Sequence, residues 1–194
     1  MASGFNELFK GDTLKILHTF FVYGALMSMT LGGVNLIIPL YLESKFMLSA
    51  SQIALFFTVQ SLITLVTQIP SGALSDRYGK KRTILSLIFS IPFLIASWHL
   101  GSDWRIMLVL NSIAFGLWTM TWPATLSLLS ESVPGRLVGA AFGVNNTGTR
   151  LGQTIGPIIT SYFYVNFFDT APFLVSGLIS LAAVLFAFGF EDRP

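Results

Sequence analysis

Apolar runs of roughly 18 to 29 residues follow one another along almost the whole chain, at about 14–41, 51–74, 83–100, 105–129, 137–165 and 171–190. A helix needs about 20 mostly apolar residues to cross a bilayer, so each run has the length of a membrane span. The connections at 43–49, 75–82, 101–104, 130–136 and 166–170 are short and polar. Only 10% of residues are charged, against about 25% in a soluble domain. Too few charges are left to clothe a water-facing surface. A membrane barrel would instead show segments of about ten residues alternating apolar and polar, and these runs are apolar on all sides. Prolines at 39, 70, 92, 123 and 157 fall inside the runs, which membrane helices tolerate when neighbours satisfy the freed backbone groups. The expectation is an all-α membrane protein of six transmembrane helices in one domain.

Several function classes fall away on composition. The chain has no cysteine, and His18 and His99 share no metal-ligand spacing with a carboxylate, so no metal site or cofactor is expected. A net charge of +2 gives no footprint for nucleic acid. Neither G-x-S-x-G, H-E-x-x-H nor an intramembrane aspartate pair is present, so no enzyme is expected. No cleavable signal peptide is read, because residues 1–12 are polar and the first apolar run is too long.

Loop charge orients the helices. With the N-terminus inside, Lys10, Lys15, Arg77, Lys80, Lys81, Arg82, Arg136 and Arg193 lie on the cytoplasmic side, and only Lys45 and Arg105 lie outside. Both termini are therefore expected in the cytoplasm, in a multi-pass protein of the cell (inner) membrane. Trp98 and Trp104 would flank an outer loop as interfacial aromatics.

The loop after the second run reads Gly72-Ala-Leu-Ser-Asp76-Arg77-Tyr-Gly79-Lys80-Lys81-Arg82. Gly72 would admit a close helix approach and Gly79 a tight reversal with positive φ. Asp76 could face a helix N-terminus, and the cations could pair with Glu131 at the end of the fourth run. This loop resembles the G-x-L-x-D-R-x-G-R-[KR]-[KR] signature of the major facilitator superfamily, with Lys80 in place of an arginine. The resemblance implies one six-helix half, a three-plus-three inverted repeat, and a cytoplasmic gate held by Asp76, Arg77, Lys80 and Glu131.

In the fifth run Gly148, Gly152 and Gly156 recur at i, i+4 and i+8 before Pro157, a spacing that makes a packing groove for a neighbouring helix. The run resembles the family's fifth-helix motif, but Thr160 and Ser161 stand where that motif ends in a glycine pair. The fourth-helix arginine of proton-coupled members is also missing, since Ser112 and Asn111 occupy that place ahead of Gly116.

Intramembrane charge is the default mark of a functional site, and Arg150 is the one such residue read here. Asn146, Arg150 and Gln153 share a helical face roughly opposite the glycines. They are expected to line a substrate cavity, joined by Asn35, Asn111, Trp118 and Trp122. Gln60, Gln68 and Tyr23 read as interhelical glue. The resemblance implies a carrier of a small solute working by alternating access in the lipid bilayer. A second half would come from a homodimer or from another six-helix segment. The alternative is a non-transporting scaffold or partner subunit of the same fold.

Overall fold

The computed structural model describes residues 11–190, so Lys10 and Arg193 of the charge count lie outside the described residues. Every regular element among the described residues is helical. In chain order they are α1 (Gly11–Phe46), α2 (Ala50–Gln68), α3 (Ser71–Tyr78), α4 (Lys80–Ile88), α5 (Ile91–Ala96), α6 (Trp104–Ser132), α7 (Val138–Asn166) and α8 (Ala171–Ala187). Short 3-10 turns cover Ser97–Leu100 and Gly135–Leu137.

Prolines decide where long runs break. Pro70 and Pro92 each lack an N–H and crowd the preceding turn, and the second and third apolar runs are interrupted beside them. The breaks are shallow: the Leu74 N–H donates to the Pro70 carbonyl and the Leu94 N–H to the Ser90 carbonyl, both at 3.0 Å. Pro39, Pro123 and Pro157 instead sit inside continuous helices. The expected run 51–74 is thus α2 plus the start of α3, and 83–100 is α4, α5 and a 3-10 turn.

Four segments among the described residues are long and apolar enough to cross a membrane: Gly11–Phe46, Ala50–Gln68, Lys80–Leu100 and Trp104–Ser132. Helix α8 is apolar but has 17 residues, about 25 Å at 1.5 Å per residue. Helix α7 has length to spare, but its polar face lowers its mean hydropathy.

The core is organised around α1, which packs along α7 and α8, while α6 packs against α2 and α4, and α5 against α8. Side chains of α1 are buried around most of its circumference, from Leu17 to Leu42. At one end Trp98 stacks on Phe173 with centroids 4.6 Å apart, and Tyr41 meets both rings edge-on. Trp98 is fully buried, which corrects its reading as an interfacial residue: the 3-10 turn folds it inward onto Phe173. At the other end Phe20 stacks on Phe190 at 4.4 Å.

Candidate functional site

The turn between α3 and α4 is built by Gly79. Its φ of 87° lies in the left-handed region that favours glycine, and its N–H donates to the Ser75 carbonyl at 3.1 Å, closing α3. The Thr83 hydroxyl donates back to the Gly79 carbonyl at 2.8 Å and pins the start of α4. From this turn the Lys80 ammonium reaches Glu131 in the last turn of α6 and donates to Oε1. A carboxylate at a helix C-terminus opposes the helix dipole, so a cation there is doubly favourable.

The rest of the loop behaves differently. Arg77 lies over the Tyr78 ring, 5.3 Å from its centroid, and Arg82 is exposed. Asp76 is exposed on α3, and α4 has no side-chain cap, so Asp76 does not cap that helix. A Cβ added to Gly72 would meet nothing within 4 Å, which corrects its reading as a point of close helix approach within this chain.

Close approach happens on α7. Built Cβ atoms at Gly148, Gly152 and Gly156 would run into the backbone carbonyls of Phe21, Ala25 and Met29 on α1. The Thr160 hydroxyl on the same face lies 3.3 Å from the Gly33 carbonyl of α1. Small residues at i, i+4 and i+8 thus let the two backbones touch, with Pro157 inside the continuing helix.

The expected cavity residues separate into four places. Asn146, Arg150 and Gln153 share the exposed face of α7, where Arg150 Nη1 donates to Gln153 Oε1 at 3.0 Å. A shallow groove there is lined by Asn146, Thr147, Arg150, Leu151 and Thr154. Asn35 is exposed on α1. Asn111 is buried and donates its amide to Gln60 Oε1 at 2.9 Å, clamping α6 to α2. It lies outside the cleft described next.

Trp118 and Trp122 line a cleft between α1, α6 and α7, together with Tyr23, Gly24, Met27, Ser28, Thr121, Thr125, Asn145 and Thr149. The two indoles meet edge to face with centroids 5.8 Å apart. No charged side chain lines the cleft. Asn145 Oδ1 is buried in its wall without a hydrogen-bond partner, and the buried Tyr23 hydroxyl lies beside the Thr121 and Thr125 hydroxyls. A buried polar atom left unpaired costs about 1–3 kcal/mol, so the Asn145 oxygen beside these hydroxyls makes a surface suited to a hydrogen-bonding guest. Of this set only the tryptophans were expected. The spacing 118, 121, 122, 125 is one helical face, and Asn145 with Thr149 repeats i, i+4, so extending the tryptophan face along α6 would have found part of it. Groups of three or more potential metal ligands are absent among the described residues.

A family model described as Major Facilitator Superfamily matches residues 20–194. The hexuronate transporter of Bacillus subtilis is 24% identical over 189 residues, covering 96% of this chain and 44% of that protein. The quinolone resistance protein NorA of Staphylococcus aureus is 26% identical over 173 residues, covering 88% and 44%. Multidrug resistance protein 2 of Bacillus subtilis is 25% identical over 165 residues, covering 84% and 41%. The chain therefore spans less than half the length of these curated relatives.

Proposed function

The chain belongs to the major facilitator superfamily, a family of membrane transporters rather than enzymes, and on that premise we propose that it carries a small solute by alternating access together with a second six-helix half. The six apolar runs are read as six spans, with both termini in the cytoplasm of a cell (inner) membrane. The carrying observation is the cleft where α1, α6 and α7 bring together two indoles, the Tyr23, Thr121 and Thr125 hydroxyls and the unpartnered Asn145 Oδ1.

Packing supports the three-plus-three repeat. In a repeat that exchanges the first and fourth spans, the second and fifth, and the third and sixth, the α1–α7 contact corresponds to the α6–α2 contact. The α5–α8 contact then maps onto itself, and all three contacts occur. The Lys80–Glu131 pair serves as a latch on the cytoplasmic end, with Asp76 and Arg77 left to meet the second half.

Arg150 sits 12 residues into α7, about 18 Å along the helix. An arginine facing lipid at mid-bilayer costs at least about 2.5–3.5 kcal/mol. Its exposed face with Asn146 and Gln153 therefore turns toward a water-filled cavity or the second half. That second half is a homodimer partner or a further segment. The same face favours the alternative, a non-transporting partner subunit docked through Arg150.

Reconstitution of the full chain into proteoliposomes tests the reading. A hexuronate and a fluorescent quinolone serve as first solutes, following the named activities of the relatives. Uptake above protein-free vesicles supports the carrier. Insertion in the expected topology without movement of either solute, alone or with a co-expressed second half, favours the partner subunit.

A further inference from the structure

Between α3 and α4 a groove is lined by Leu74, Tyr78, Arg82, Thr83 and Ser86. Two donors in it are unspent. The Arg82 guanidinium has no ion-pair partner among the described residues, and the half-exposed Tyr78 makes no phenolic hydrogen bond there. The hydroxyls of Thr83 and Ser86 already donate to backbone carbonyls. No carboxylate lines the groove. The acidic neighbours are Asp76, exposed on α3, and Glu131, engaged by Lys80. Arg77, held over the Tyr78 ring, adds a second cation at the mouth.

Below the charged mouth the wall turns apolar. Arg82, Ser86, Phe89 and Phe93 follow at i, i+4, i+7 and i+11 across the shallow break between α4 and α5, and all four are exposed. The phenyl rings stand 5.8 Å apart. From Arg82 to Phe93 this row runs 11 residues, about 16 Å of helix rise. Cation and phenol above, hydroxyl next, then two aromatic rings reproduce the polarity profile of a phospholipid lying along a protein wall. Basic residues at a membrane rim attract anionic headgroups, and a guanidinium with adjacent donors matches phosphate geometry.

We propose that this groove seats one anionic phospholipid, its phosphate on Arg82 and Tyr78 and an acyl chain along Phe89 and Phe93. The inference rests on the chain lying in a bilayer, not on transport. A soluble phosphate would use the mouth but not the apolar face, so lipid is the occupant the whole surface fits.

Native mass spectrometry of the full chain tests this, after extraction from vesicles of equal phosphatidylglycerol and phosphatidylcholine. Retention of phosphatidylglycerol at least about fivefold over phosphatidylcholine is expected. Arg82→Gln should abolish the preference, and so should Ser86→Trp, which fills the groove without removing charge. Lys15→Gln, a cation on α1 outside the groove, should leave it intact. Equal loss in Lys15→Gln would mean diffuse rim attraction and overturn the site. So would retention unaffected by both groove variants, displacement by millimolar inorganic phosphate, or a lipid-free dimer that buries the groove. Protein that stays monodisperse without amphiphile would fail the membrane reading itself, a different result from any of these.

Discussion

Lys80 and Glu131, 51 residues apart, meet across the end of the bundle, the lysine ammonium donating to the carboxylate and tying the α3–α4 turn to the last turn of α6. Glu131 is about half exposed, so solvent screens the pair. A pair of this kind contributes roughly 0.2–1 kcal/mol. Its weight lies in which elements it joins rather than in how strongly it holds them. Glu131→Gln should lower thermal stability in detergent only slightly while raising labelling of a cysteine introduced at Ser75, which is buried beside the turn. The chain has no native cysteine, so the readout is unambiguous. The exchange Lys80→Glu with Glu131→Lys should restore protection, and a swap that labels like the single variant would remove the latch.

The glycine face of α7 makes a sharper stability prediction. A methyl at Gly152 would press into the Ala25 carbonyl and the Met29 amide, neither of which can yield without moving α1. Overpacking of this kind costs typically about 1–3 kcal/mol, so Gly152→Ala should lower the unfolding midpoint clearly. Gly143, on the same helix, has nothing within 4 Å of its built Cβ. Gly143→Ala should be neutral or stabilising, by about 0.5–1 kcal/mol from helix propensity. Equal midpoints for the two variants would mean that α1 and α7 do not touch as described.

Buried amide pairing between α2 and α6 gives a third expectation. Replacing Asn111 by leucine leaves Gln60 Oε1 without its donor. Interhelical hydrogen bonds in membranes average about 0.6 kcal/mol, with an upper range near 1.7. Asn111→Leu should fall in that interval, measured as loss of folded protein in a denaturing detergent titration. The double variant Gln60→Leu with Asn111→Leu should recover most of the loss, since no polar atom is then stranded.

The apolar runs, the α3–α4 turn and the α7 glycines were legible because each depends on local chemistry: length, a positive-φ glycine, a four-residue spacing. Lys80 and Glu131 could be paired across 51 residues because both sit at run ends that loop charge assigns to one side. Facing was not legible. In a helix apolar nearly all round, periodicity does not say which side meets protein and which meets lipid. Arg150 drew attention by its charge, yet it stands on the exposed face. Trp98 looked like a membrane-interface residue because of its place near a loop, and only the turn after α5 carries it into the core.

Asn145 and Asn146 show how small that ambiguity is, and they yield the last prediction. One residue along a helix is a rotation of about 100°, and it moves an amide from the buried cleft wall to the open face of α7. Asn145 contributes an unpartnered oxygen beside Trp118 and Trp122, and Asn146 shares the groove of Arg150. If the cleft holds the solute, Asn145→Leu should raise the Kd read from the Trp118 and Trp122 fluorescence response to a transported solute by about tenfold, as expected for loss of one buried hydrogen bond of about 1.5 kcal/mol. Asn146→Leu should leave that Kd within about twofold, its contact being outside the cleft. Trp98→Phe and Trp104→Phe remove the other two indoles and keep the signal assigned to the cleft. A response lost in Asn146→Leu and kept in Asn145→Leu would move the site to the Arg150 face and leave the cleft as packing alone.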